Sequence, residues 1–258
     1  MKKIIFFDVD NTIFSSKLRK VHLQTSKLIK ELSKDKDTVL CFATGRGMAK
    51  IGVINDFLDC FTYGITVNGA VIHKGKEIIY SKPIKTEDVK EVSDFAKEQK
   101  ISIGMVGDEE EAVNFLDPEV MYGLKGFNEF LPIVDPEFYM RNEVFQIWIF
   151  KENKEEVSKF AAKFKQFTPY FWNIGGVDLV YPETNKANAI KKIMEDYPGY
   201  KLICVGDGHN DIDMIKLADI GIVMGNTRNE ELKEAASFIS PHIDDDKLYD
   251  FFKEIGLV

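Results

Sequence analysis

The feature that most constrains this chain is a set of short apolar runs that each stop abruptly at polar residues. Residues 4–7 stop at Asp8, Thr38–Ala43 at Thr44-Gly45-Arg46, and residues 202–205 at Gly206-Asp207. Short apolar runs of this kind suit strands buried on both faces, the condition of a parallel sheet covered by helices. Helical spacing lies between them. Thr25, Leu28, Ile29 and Leu32 share one helix face, and a helical stretch over residues 47–58 precedes a strand-like segment at 64–67. The alternation predicts an α/β domain with a parallel sheet.

The pattern changes after Tyr80. An amphipathic helix starts at Thr86 with two acids in its first turn, followed by strand candidates at 101–106, 112–116, 143–150 and within 171–181. A second helix starts at Asn153, with Glu156 three residues on, a capping-box pattern. Two helices among hairpin-like strands predict a separate α+β insert. The α/β pattern returns near Thr184, with a helix over 185–194, the strand ending at Gly206, a helix from about Asp211 and a strand at 220–224. The expected organisation is a core of residues 1–80 and 184–258 interrupted by an insert of 81–183.

Composition excludes several classes of function. Of 258 residues, 45% are hydrophobic and 12% aromatic, which is too apolar for a disordered chain. The net charge of −8 argues against wholesale nucleic-acid binding and against docking on anionic membranes. Residues 4–7 are too short for a signal-peptide core, and no apolar run approaches a membrane span, so a cytoplasmic protein is expected. The three cysteines form no CxxC pair; reduced thiols are expected, with Cys41 and Cys204 buried and inert.

Four polar constellations sit at the ends of the predicted strands or at helix starts. In Asp8-Val9-Asp10-Asn11-Thr12, carboxylates two residues apart leave an extended chain on the same side. An EF-hand loop is excluded, because its sixth and twelfth positions would be Ile13 and Arg19. Thr44-Gly45-Arg46 offers a hydroxyl and backbone N–H groups suited to phosphate oxygens. Lys186 opens a helix, where its charge opposes the helix dipole unless an anion lies nearby. Gly206-Asp207-Gly208-His209-Asn210-Asp211 lacks the third glycine of a dinucleotide loop, and its paired carboxylates suit a hard cation such as magnesium. If all four converge at the carboxyl edge of one sheet, they form a phosphoryl-transfer site with an aspartate nucleophile available.

In order and spacing these motifs resemble those of the haloacid dehalogenase superfamily of phosphatases. They resemble most its Cof-like subgroup, whose cap domain is inserted between the second and third motifs. DVDNT is similar to the family's DxDGT, FATGR to its second motif and GDGHNDIDMI to the subgroup's GDGxNDxxM, while Val67-Asn68-Gly69-Ala70 and Met224-Gly225-Asn226 resemble further landmarks. The resemblance implies a Rossmann-like, doubly wound parallel sheet with an inserted α+β cap. It also implies Asp8 as nucleophile and Asp10 as acid and base. Magnesium would be held by Asp8, the Asp10 carbonyl and Asp207, with Asp211 supporting the metal's water shell, and phosphoryl oxygens would be bound by Thr44, Gly45, Lys186 and Asn210. Two positions depart from the pattern. Asn11 stands where glycine is usual, and asparagine tolerates the left-handed turn; Ala187 follows Lys186 where glycine is common, and alanine suits a first helical turn.

The reading that follows is a magnesium-dependent phosphatase of small phosphorylated metabolites, sugar phosphates first, acting as a monomer or weak homodimer. A sugar phosphomutase and a non-catalytic sensor are the alternatives. The insert is expected to exclude water from the reaction, with Tyr139, Trp148, Tyr170 and Trp172 as core residues that could also stack on a ligand. Of the four arginines only Arg141 lies in the insert, which disfavours recognition of a second phosphate. Residues 81–180 hold 12 basic and 19 acidic residues, so −7 of the −8 falls there and small monophosphates with a neutral body are favoured. The run Asp244-Asp245-Asp246 reads as a solvated helix start.

Overall fold

In the computed structural model, residues 1–125, 131–172 and 175–258 are described. They form two compact units. One comprises Met1–Gly45, Ile51–Tyr80 and Asn185–Val258, the other Arg46–Lys50 and Ser81–Thr184.

The first unit is built on an eight-stranded sheet in the order Phe238–Ile239, Ile220–Val223, Lys201–Gly206, Lys3–Phe7, Thr38–Ala43, Tyr63–Thr66, Val71–Lys74, Glu77–Ser81. The first six strands run parallel, and Val71–Lys74 is antiparallel to Tyr63–Thr66. The chain moves from Lys3–Phe7 toward one edge and later from Lys201–Gly206 toward the other. The order therefore reverses between those two strands, where α/β sheets open a ligand crevice at their carboxyl ends. All five residues of Lys3–Phe7 are buried, as the apolar run requires. Phe7 lies level with both Phe42 and Val205, so the three loops that follow leave the sheet at the same height.

The second unit carries a six-stranded sheet in the order Ile133–Val134, Glu111–Val113, Ile103–Val106, Gln146–Phe150, Gly176–Val180, Thr168–Phe171. Helices Thr86–Gln99 and Lys154–Ala161 cover one face, packing Val89, Val92, Val157 and Phe160 with Met105, Ile147, Ile149 and Leu179. On the opposite face Trp148 lies over Gly104 and Trp172 over Gly176, positions where a Cβ would collide with each indole. Trp148 is buried, and the Trp172 indole N–H donates to Asp178 Oδ1 at 2.7 Å, so both rings serve the interior of this unit. Tyr139 and Tyr170 are half-buried.

Several local expectations change. The stretch expected as a helix over 47–58 is Met48–Cys60, 3-10 turns with non-helical backbone at Ile54 (φ −120°), and its first N–H groups, those of Met48 and Ala49, donate to Asp108. The strand expected over 112–116 stops at Val113, where the Asn114 carboxamide takes the Ile103 and Phe115 N–H groups and donates to the Ile101 carbonyl. Asn153 caps its helix as expected, accepting from Glu155 and Glu156, but the Glu156 carboxylate turns to Lys151 at 3.5 Å. The strands expected within 171–181 are described on either side of residues 173–174, which lie outside the described residues.

The acidic run near the C-terminus is not a solvated helix start. Asp244 accepts from Ser15 Oγ at 2.7 Å, and Asp246 Oδ1 accepts the Gln24 N–H at 2.7 Å. Gln24 lies in the first turn of helix Leu23–Leu32, whose own N-cap, His22, makes no side-chain cap bond. The cap is therefore supplied from 222 residues away, a pairing that local sequence cannot reveal. Among the described residues no helix is long and apolar enough to cross a membrane.

Replacing Asp246 by alanine removes this cap and places alanine at φ 51°. The expected cost is about 1 kcal/mol, or about 2–4 °C in Tm. Asp246→Asn, which keeps an acceptor and tolerates the left-handed backbone, should stay closer to the parent in a thermal melt.

Candidate active site

The Asp8 N–H donates to the Val205 carbonyl at 2.8 Å, extending the central ladder by one residue and leaving the Asp8 side chain at the strand's end. The chain then turns tightly, with Ile13 and Phe14 both donating to the Val9 carbonyl, at 3.0 and 2.8 Å. Asn11 holds this turn at φ 59°, the left-handed conformation expected of asparagine there. Asp10 is half-buried on the same turn.

Lys186 is the first residue of helix Lys186–Met194, capped by Asn185, whose Oδ1 accepts the Asn188 N–H at 2.8 Å. Its side chain is 0% exposed, and its ammonium lies 2.7 Å from Asp8 Oδ1 and 2.7 Å from Asp211 Oδ1. The anion that the helix dipole calls for is thus a pair of buried carboxylates. Asp211 also organises its own loop: its Oδ2 accepts the N–H groups of Asp207 and Gly208, each at 2.9 Å. Gly206 is required here, since a Cβ would lie 2.5 Å from the Asp211 carboxyl carbon, which these bonds pin in place.

Asp207 completes the cluster. Asp8, Asp207 and Asp211 each offer an oxygen within 4.8 Å of the other two. Asp207 Oδ2 accepts from Asn226 Nδ2 at 3.1 Å, and its carbonyl accepts from Thr227 Oγ1 at 2.7 Å. The same Asn226 amide donates to the Asn11 carbonyl at 3.0 Å, and Asn226 Oδ1 accepts the Ile243 N–H at 3.1 Å. Asn226 therefore ties the Asp8 loop to the Asp207 loop. The sequence offered only its place in Met224-Gly225-Asn226 as a signal, and Thr227 carried none.

Thr44 and Gly45 reach the cluster through a third turn, Val67–Gly69. The Asn68 N–H donates to the Thr44 carbonyl at 3.0 Å, and Asn68 Oδ1 accepts from Asn210 Nδ2 at 2.8 Å. Val67, Asn68 and Gly69 have φ of 45°, 57° and 104°. Such backbone costs about 1–3 kcal/mol at each non-glycine position and concentrates at functional sites. Gly69 admits no side chain, because a Cβ would run into the Asn185 carbonyl. Arg46 leaves this group, donating from Nη1 to the Lys50 carbonyl at 3.0 Å within the second unit.

Burial dominates the electrostatics. Desolvation, with the charges of Asp211 and Asp10, pushes Asp8 up to about 7 despite Lys186. Burial also raises Asp207 well above the carboxylate range, helped by Asp8 and Asp211. For Lys186 burial opposes the charge, but Asp211 and Asp8 outweigh it and hold the ammonium above its ordinary value. Two buried carboxylates share one ammonium and the half-buried Asp207 stands beside them, so the cluster lacks positive charge. A hard, oxygen-liganded divalent cation fits that deficit.

The sequence matches the haloacid dehalogenase-like hydrolases over residues 5–252. It is 30% identical to YkrA of Bacillus subtilis (strain 168), covering 99% of this chain and 98% of that one. It is 25% identical to 5-amino-6-(5-phospho-D-ribitylamino)uracil phosphatase YcsE of the same organism, over 92% of this chain and 89% of that one. Its structure resembles that of the HAD subclass IIB sugar phosphatase BT4131, with a TM-score of 0.87 and 27% identity, covering 99% of this chain and all of the other.

Lys186→Met should destabilise the protein by about 3–5 kcal/mol, because it leaves Asp8 and Asp211 buried without a counter-charge. Asp8 already has a folded-state value above its unfolded one. The stability gained by keeping Asp8 protonated is therefore complete at acid pH and is lost as pH rises through about 7, where the ionised Asp8 comes to depend on the Lys186 ammonium. Denaturant titrations at pH 5 and pH 8 should show the larger penalty of Lys186→Met at pH 8.

Proposed function

Because the chain belongs to the haloacid dehalogenase-like hydrolase family, we propose that this phosphatase is magnesium-dependent, prefers small phosphorylated metabolites, sugar phosphates first, and works through an aspartyl-phosphate on Asp8. The observation that carries this reading is the Lys186 ammonium bridging Asp8 and Asp211, 2.7 Å from each, in a cluster that Asp207 completes. A general-purpose buried ion pair would need one carboxylate per lysine. Three suit a site built to receive a cation and a phosphoryl group.

Asp8, the Asp10 carbonyl and Asp207 would hold the magnesium ion, with Asp211 behind them. When bound, the ion supplies the positive charge that lets an anionic carboxylate approach an anionic phosphate. Asp211 has its oxygens committed to Lys186 and to two backbone N–H groups, so its part is to set the Asp207 loop and the ammonium. Lys186 orients the Asp8 oxygen and, remaining charged, faces the negative charge that spreads over the phosphoryl oxygens in the transition state. An Asp8 oxygen forms a bond to phosphorus as the ester P–O bond breaks, and Asp10 donates its proton to the departing oxygen. Asp10, now a carboxylate, takes a proton from water as that water attacks phosphorus, and the bond to Asp8 breaks to release phosphate. Thr44, Gly45 and Asn210 bind the phosphoryl oxygens.

Preference for sugar phosphates is supported by the description of BT4131 as a sugar phosphatase and by the small phosphorylated substrate in the name of YcsE. The −7 carried by residues 81–180 disfavours polyanionic substrates.

A screen of phosphorylated sugars and cofactors should release inorganic phosphate only with magnesium, and chelation should abolish release. Asp8→Asn should lower kcat by about 1,000-fold or more, while full activity in that variant would remove Asp8 from the nucleophile's place. Because protons compete for carboxylates whose affinity for them is raised, magnesium should increase Tm more at pH 8 than at pH 6. Equal shifts at both pH values would count against binding at this cluster.

A further inference from the structure

The turn Val67–Gly69 lies outside the residues to which the reaction assigns chemistry, yet it touches three of the four loops that carry them. Its Asn68 N–H holds the Thr44 carbonyl, its Asn68 carboxamide holds Asn210 Nδ2 at 2.8 Å, and Gly69 packs against the Asn185 carbonyl at the start of the Lys186 helix. The Asn68 carboxamide also lies 3.2 Å from where a Cβ on Gly45 would stand, so it closes over the Thr44-Gly45 backbone. Asn68 is 1% exposed.

The conformation of the turn is informative in its own right. Three consecutive residues have positive φ, and one of them, Val67, is β-branched, the type least suited to that region. Strained backbone persists only where its surroundings over-determine it. Here the surroundings are the phosphate-binding loops themselves. A turn needed only to reverse the chain between Tyr63–Thr66 and Val71–Lys74 could use an ordinary hairpin without valine at φ 45°.

We propose that Asn68 is a positioning residue for the phosphoryl group: it fixes the Asn210 amide and the Thr44-Gly45 backbone in a single phosphate cradle without touching the substrate. The inference rests on the phosphatase reading above and deepens it. The Asn68 side chain orients one donor and its backbone N–H orients the opposite loop, so phosphate binding depends on one residue at the centre of the cradle. Removing its side chain should weaken phosphate binding through the same contact that removing Asn210 destroys.

The test is a double-mutant cycle on the magnesium-loaded protein. Asn68→Gly keeps the left-handed backbone accessible and deletes the carboxamide; Asn210→Ala deletes its partner. Inorganic phosphate binding is measured by calorimetry, and KM and kcat are measured on any sugar phosphate the protein hydrolyses. Each single variant should weaken phosphate binding about tenfold, the loss expected for one hydrogen bond supporting a charged group. KM should rise more than kcat falls, and the double variant should bind no more weakly than the worse single one. A merely structural role would lower Tm and leave phosphate affinity unchanged. That outcome in Asn68→Gly, or losses that multiply in the double variant, would overturn the inference while leaving the phosphatase reading standing. Parent protein that neither binds phosphate nor hydrolyses a phosphate ester would overturn both.

Discussion

The buried ammonium of Lys186 is the interaction on which the rest of the site depends. It has no exposure to water, and it is balanced by Asp8 from the central strand and by Asp211 from the loop after Lys201–Gly206. An isolated ammonium in such a place would be prohibitive, and two isolated carboxylates likewise. The three groups therefore oblige the Asp8 strand end, the Lys186 helix start and the Asp207–Asp211 loop to form together. Asp211 extends the constraint inward, since its second oxygen gathers the Asp207 and Gly208 N–H groups and leaves no room for a side chain on Gly206.

Around this charged centre, neutral amides perform the alignment. Asn226 joins Asp207 to the Asn11 carbonyl and to Ile243, and Asn68 joins Asn210 to the Thr44 loop. Asparagine suits both places because one carboxamide can donate and accept at once without adding charge. Another carboxylate would deepen the deficit of positive charge, and another lysine would compete with Lys186 for Asp8. Asn11 and Asn68 have a second qualification, since each tolerates a left-handed backbone, at φ 59° and 57°.

Much of this was legible in the chain. The apolar runs ending at Asp8, Thr44 and Gly206 do lie on adjacent parallel strands with level carboxyl ends, because a strand buried on both faces leaves little freedom of register. The left-handed Asn11 was readable because few residues tolerate that backbone. Less was visible where the deciding partner is remote. Residues 47–58 were expected as a helix, yet they form 3-10 turns whose first N–H groups find their acceptor in Asp108, some 60 residues on. Asp244-Asp245-Asp246 looks like a helix start in sequence, yet Asp246 caps a helix that begins 223 residues earlier, at Leu23.

The sequence by itself determined the α/β class, the polar loops that end its strands and residue types suited to a cation and a phosphate, because apolar periodicity and carboxylate spacing are local properties. Only the tertiary structure decided which oxygens Lys186 shares, that Asp211 also gathers the N–H groups of its own loop, and that Asn68 and Asn226 tie the loops together. These are statements about hydrogen bonds between residues as much as 215 positions apart, and burial alone makes such bonds worth enough to matter.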